Sequence, residues 1–162
     1  MGERKSTYTV EEAKRVLERY CVYQDRCHWE VEKKLKEMRM IEEAREHILL
    51  HLMEHDFLNE ERFARSFARG KFRIKKWGKQ RIEKELQMRD ISAYNIKAGL
   101  SEIPAGEYED TLWEISRKRF ESVSEDNKLR KRKKVADFLL RKGFESQRIY
   151  QVLTDLEKEN NS

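Results

Sequence analysis

Apolar residues recur along this chain at spacings of three and four, the period of a helix with one buried face. Ala13, Val16, Leu17 and Tyr20 make one such stripe, Phe63 and Phe67 a second, and Leu112, Ile115 and Phe120 a third. Behind each stripe one apolar register returns. Val31 and Leu35 correspond to Ile82 and Leu86, offset by 51, and these correspond to Val135 and Leu139, offset by 53. Carried forward, the register places Met40 on Ile91 and Phe144, Leu49 on Leu100 and Leu153, and Leu52 on Ile103 and Leu156. A chain that repeats at such a period is built from stacked supersecondary units, each too small to bury its apolar face alone.

Signals at the element ends divide each unit into three short helices. Thr9 with Glu12 fits a capping box, and Asn59 followed by Glu60 and Glu61 fits an N-cap with acid in the first turn. Ser92 and Ser146 stand where the third helix of the later units should begin, and Gly143 suits the turn before it. Pro104-Ala105-Gly106 is the clearest breaker. The pattern predicts an all-α fold of three tandem three-helix repeat units in an elongated, curved array. The units span residues 9–56, 57–103 and 107–157, with flexible ends at 1–8 and 158–162.

Composition agrees. With 38% hydrophobic against 41% charged residues in 162, several small cores fit better than one large one. The helix-favouring Lys, Arg and Glu dominate the charged set, and a single proline leaves few breaks. No apolar run approaches the roughly 20 residues that cross a bilayer, and Met1 to Lys5 lead into charged sequence without a signal-peptide core. These features predict a cytoplasmic protein with no membrane contact. Cys21 and Cys27, six apart, match neither a disulfide scaffold nor the CxxC spacing of a zinc site, so two reduced thiols are expected.

The net charge of +5 conceals blocks of opposite sign. Residues 1–61 are net −4, residues 62–89 net +9, residues 90–116 net −5, residues 117–142 net +7, and the remainder −2. Two basic blocks flanking an acidic one suit positive stripes on a scaffold, the footprint of a polyanion or acidic-protein partner. The first block runs R-G-K-F-R-I-K-K-W-G-K-Q-R from Arg69 to Arg81, interleaving cations with Phe72, Ile74 and Trp77. Such a mixture can grip phosphates while rings stack on bases. Alternatively, Phe72 and Trp77 are core residues at a helix junction and only the cations face outward. The run Arg130 to Lys134, directly before Val135, reads as the charged start of a helix.

Enzyme signatures are sparse. His51-Leu52-Met53-Glu54-His55 has the H-x-x-E-H order of inverted zinc proteases, with His47 one turn back. A third ligand in a recognisable context is lacking, and the register makes these histidines the flank of a helix whose Leu49 and Leu52 are core. Gly70 and Gly78 form neither a Walker loop nor a dinucleotide fingerprint. The expectation is a binding protein without enzymatic activity, metal or cofactor.

Phe57-Leu58-Asn59-Glu60-Glu61-Arg62-Phe63-Ala64, then Phe67, Trp77-Gly78, Arg81-Ile82, Glu85-Leu86 and Ile91, closely resembles the central region of the RecX family of bacterial recombination regulators. The likeness spans about residues 9–157 and is weakest in the first unit, where only the apolar register matches. It implies a three-unit helical protein that binds the RecA recombinase, usually as a filament on single-stranded DNA. Such a protein restrains filament growth, ATP hydrolysis, strand exchange and co-protease function. The motif residues themselves read as structural: Asn59, Glu60 and Glu61 as a helix cap, Arg62 as its ion-pair partner, the apolar positions as packing. The partner-facing candidates are Arg65, Arg69, Lys71, Arg73, Lys75, Lys76, Lys79 and Arg81, with Lys128, Arg130, Lys131, Arg132, Lys133 and Lys134 as a second patch. A monomer is expected, with the RecA filament as partner and single-stranded DNA as a secondary one. The competing reading is a stand-alone basic DNA-binding protein.

Overall fold

The computed structural model describes residues 7–161. Among these the chain forms nine helices and no strand: α1 (Val10–Tyr23), α2 (His28–Glu37), α3 (Glu42–Glu54), α4 (Glu60–Arg73), α5 (Lys79–Met88), α6 (Ala93–Leu100), α7 (Ala105–Ser122), α8 (Lys128–Lys142) and α9 (Ser146–Asn160). The closest helix pairings fall within successive triplets, so the all-α repeat of three-helix units is present. In the second unit α4 and α6 approach most closely, because Gly99 meets Ala64 where a Cβ would lie 2.7 Å from the Ala64 carbonyl oxygen. None of these helices is long and apolar enough to cross a membrane.

The caps follow the side chains. Thr9 Oγ1 accepts from the Glu12 amide and Glu12 Oε1 from the Thr9 amide, each at 3.1 Å. Asn59 Oδ1 accepts from the Arg62 amide at 2.9 Å, and Ser92 Oγ from the Asn95 amide at 3.2 Å. Two boundaries differ from expectation. Pro104 is itself the N-cap of α7, with Ala105 and Gly106 in its first turn, because proline's fixed φ suits helix entry. The last helix, α9, begins at Ser146 as expected, with Glu145 as its N-cap, but continues to Asn160 instead of ending at 157. Of the expected loose ends, Tyr8 packs on the core of the first unit. Residues 1–6 and 162 lie outside the described residues.

The repeated register has a backbone cause. Arg39, Asp90 and Gly143, each after the second helix of its unit, adopt positive φ of 61°, 57° and 100°. The next residues, Met40, Ile91 and Phe144, donate their amides to the carbonyls of Leu35, Leu86 and Leu139 at 3.0, 3.1 and 3.2 Å. This is the Schellman turn, which satisfies helix-end carbonyls and folds the following apolar residue back onto the helix. Met40, Ile91 and Phe144 are accordingly buried. At one position the register slips: Ile48 is fully buried, whereas Leu49 is only half-buried.

Burial divides the protein in two. The first unit has its own core, from Ala13 to Leu52, and Phe57 and Leu58, expected to open the second unit, pack on it instead. The second and third share one continuous core from Phe63 to Leu156, to which Cys27 of the first unit also contributes. Between the first and second units the contacts are largely polar. Asp25 accepts from Arg62 Nε and from Ser66 Oγ, both at 2.8 Å, and His28 lies 3.6 Å from Glu60. Arg62 therefore pairs across units, with Asp56 as a further partner at 3.2 Å, not with the acids of its own helix cap.

Candidate basic interface

The α4–α5 loop, residues 74–78, carries the centre of the first basic block. It leaves α4 through a wider left-handed turn, with Lys76 at φ 58°, the Lys76 amide donating to Phe72 O at 3.0 Å and the Trp77 amide to Lys71 O at 3.1 Å. Gly78 then meets the turn after α8 backbone to backbone. Its amide donates to Lys142 O at 2.7 Å, and the Gln80 amide to Gly143 O at 3.0 Å. A Cβ on Gly78 would stand 2.3 Å from the Gly143 carbonyl carbon, so only glycine permits this seam. Phe72, Tyr108 and Phe144 stack beneath it, with ring centroids 5.8 and 5.2 Å apart. The Tyr108 hydroxyl donates to Glu145 at 2.6 Å and accepts from the Lys79 amide at 2.9 Å.

The seam joins cations from both basic blocks. Arg81 Nη1 donates to Arg141 O at 3.2 Å, and Lys142 Nζ to Lys75 O at 2.9 Å. Burial, and then the neighbouring Arg81 and Lys75 charges, hold the Lys142 ammonium below the usual lysine range. A lysine penalised by adjacent cations marks positive potential that an anion would relieve. On the other side of the loop, Lys76, Lys118, Arg119 and Lys142 rim a shallow hollow of about 350 Å³ floored by Ile115 and Phe138. Arg141, Lys142, Lys118 and Arg119 were absent from the sequence-derived candidates; only the net charge of their block pointed to them.

The other candidates separate by what they touch. Arg65 and Arg69 both reach Glu102, at 3.3 and 2.9 Å, and clamp α4 to the segment after α6. Lys71 lies 5.4 Å from the Phe67 ring and 5.0 Å from Trp77, Arg81 4.1 Å from Trp77, and Lys79 4.8 Å from Tyr108. These rings are thus covered by the protein's own cations, Phe72 is buried, and Trp77 is partly buried; the junction reading of the aromatics describes them. Arg73, Lys75 and Lys76 are exposed, and among the described residues none of them makes an ion pair within 4 Å, though the Lys76 charge reaches Glu114.

In the second patch most charges are spent on the fold. Arg132 pairs with Glu157 at 2.9 Å, Lys133 with Asp137 at 2.9 Å, and Lys134 with Glu125 at 2.9 Å. Lys131 covers Phe120 at 4.1 Å. Lys128 and Arg130 are exposed, and among the described residues neither makes an ion pair.

Of the two histidines of the H-x-x-E-H string only His51 reaches α1, while His55 is exposed and turns back on its own helix. His51 Nε2 lies 3.5 Å from Glu18, His55 Nδ1 lies 2.9 Å from His51 O, and the two rings are 4.3 Å apart. His47 is exposed. Among the described residues no group of three or more His, Cys, Asp or Glu side chains could hold a metal ion. Burial pushes the Cys21 and Cys27 thiols up to about 11 and about 12, out of the reactive range.

Tandem three-helix units, the second and third locked by glycine at a basic seam, define an all-α helical-repeat protein. Residues 59–100 match the family model for the second three-helix domain of RecX, and residues 107–153 the model for its third. The chain belongs to the RecX family. Regulatory protein RecX of Clostridium acetobutylicum is 30% identical over 136 residues, 82% of this chain and 63% of that protein. The protein of the same name from Bacillus cytotoxicus is 26% identical over 86% of this chain and 52% of its own length. This chain thus spans only half to two thirds of these relatives. The crystal structure of RecX from Lactobacillus salivarius superposes with a TM-score of 0.77 at 23% identity, over 91% of this chain and 96% of that one. A second crystal structure of a regulatory protein RecX gives 0.80 at 25% identity, over 90% and 73%.

Proposed function

We propose that this protein binds the RecA recombinase assembled on single-stranded DNA and restrains filament growth, and with it ATP hydrolysis, strand exchange and co-protease activity. Membership in a family of regulatory proteins supports the general role. The observation that carries the specific reading is the seam between the second and third units, where Lys75, Arg81, Arg141 and Lys142 converge from both basic blocks. A rigid positive ridge on helical repeats suits a filament that presents acidic protein surface beside a phosphate backbone. The protein acts by binding, needs no cofactor and works as a monomer in the cytoplasm.

The exposed cations also keep a stand-alone DNA-binding reading in play, and the two are separable by affinity. Fluorescence anisotropy on the same oligonucleotide, bare or coated with the cognate RecA, should show binding to the coated strand tighter by about tenfold or more. Equal, salt-sensitive affinity for both would favour the DNA binder.

A further inference from the structure

Gly78, Gly99 and Gly143 each lie where a Cβ would meet neighbouring atoms within 3 Å. At Gly70 and Gly106 a Cβ would have nothing within 4 Å, but Gly106 sits in the first turn of α7, whereas Gly70 lies inside α4, where glycine weakens a helix relative to alanine, and its φ is not positive. Among the described residues no neighbour requires glycine at position 70.

Gly70 lines a cleft of about 280 Å³ between the first and second units. Phe63, Phe67 and Ile74 give it an apolar lining, Lys71 and Lys75 a cationic rim, and Gln24 and Asp25 of the first unit the opposite wall. Ile74 is 78% exposed, and at the end of α1 beside that wall Val22 and Tyr23 are 73% and 83% exposed. The Asp25 carboxylate is already occupied by Arg62 and Ser66, so the uncompensated charge of the rim is positive. Lys75 also belongs to the basic seam, which makes the cleft and the seam one continuous surface.

We infer that this cleft is a docking groove for an acidic polypeptide segment of the partner, with an apolar side chain anchored beside Ile74 and its backbone drawn close to α4 over Gly70. A polypeptide fits better than a nucleic-acid strand. Phe67 in the lining and the neighbouring Trp77 are covered by Lys71, Arg81 and Arg89, and Phe63 is buried, so the cleft itself offers no open ring face and its exposed anchor point is the aliphatic Ile74; Tyr23 stands outside the lining. The groove also gives the first unit a part in binding. This inference rests on the functional reading above, which supplies the partner.

The test uses Gly70→Leu and Ile74→Glu in the full chain, with binding measured on RecA-coated and on bare single-stranded DNA, and thermal melting alongside. Gly70→Leu should melt no lower than the parent, since leucine favours a helix and the space is open. Both substitutions should weaken binding to the coated strand by about tenfold or more, as loss of a buried anchor does, while bare-DNA binding stays unchanged. Affinity for the coated strand within about twofold of the parent for both variants would overturn the groove. An equal loss on bare DNA would overturn the polypeptide as occupant. A parent protein that binds bare DNA but shows no preference for RecA would overturn the functional reading, and this occupant with it.

Discussion

Tyr108 and Ser116 both lie on the buried face of α7, and their hydroxyls meet opposite fates. Tyr108 is 1% exposed and its hydroxyl is satisfied twice, by Glu145 and by the Lys79 amide. Burial, reinforced by the Glu145 hydrogen bond, pushes its ionisation far above the usual phenol range, so it remains a donor at any physiological pH. Ser116 is fully buried, and its Oγ makes no hydrogen bond within the protein. Truncating the first hydroxyl strands a carboxylate oxygen and a backbone amide; truncating the second strands nothing. Tyr108→Phe should therefore cost about 1–3 kcal/mol in urea unfolding. Ser116→Ala should be neutral or stabilise by about 1 kcal/mol. A stabilising Tyr108→Phe would show that the seam beneath the basic ridge is not held as described.

The repeat is a repeat of turns as much as of helices. Met40, Ile91 and Phe144 share a sequence register because each follows a left-handed residue that closes a Schellman turn. Only the third unit places glycine there. Arg39 and Asp90 adopt the same conformation with a Cβ, at a cost of about 1 kcal/mol each. Arg39→Gly should accordingly raise stability by about 1 kcal/mol, and a loss on the same denaturation assay would contradict the turn assignment. Gly143→Ala should do the reverse and more severely, since the new Cβ would lie 2.3 Å from that of Arg81 and break the seam. The same comparison shows what sequence could carry. Thr9, Asn59, Ser92 and Gly143 announce their roles through local chemistry, and all four ends lie where that chemistry placed them. Arg39, Asp90 and Lys76 have no such mark, because a non-glycine residue at positive φ is held there by its surroundings. Pro104 read as a break between units, while in the structure it opens a helix.

At the scale of the molecule, charge blocks were legible and charge use was not. The blocks at 62–89 and 117–142 do supply the positive surface, but they meet through Arg81, Arg141, Lys75 and Lys142. Arg65, Arg69 and Arg132 are tied to Glu102 and Glu157, acids 25 to 37 positions away. Pairing over such separations leaves no local pattern in a sequence. The fold thus fixes one part of its cations and leaves another part, Lys75, Lys76 and Arg141 among them, exposed on a ridge that glycine contacts hold rigid. The most direct test of that division is DNA-dependent ATP hydrolysis by the cognate RecA, titrated at low and physiological salt. The parent protein would be compared with the Lys75→Glu, Lys76→Glu, Arg141→Glu triple variant. The parent should inhibit below one molecule per recombinase subunit. The variant, with its helicity intact, should need about tenfold more protein or fail to inhibit. Equal inhibition by both would show that the ridge is not the working surface, and no inhibition by the parent beyond competition for free DNA would contradict the role itself.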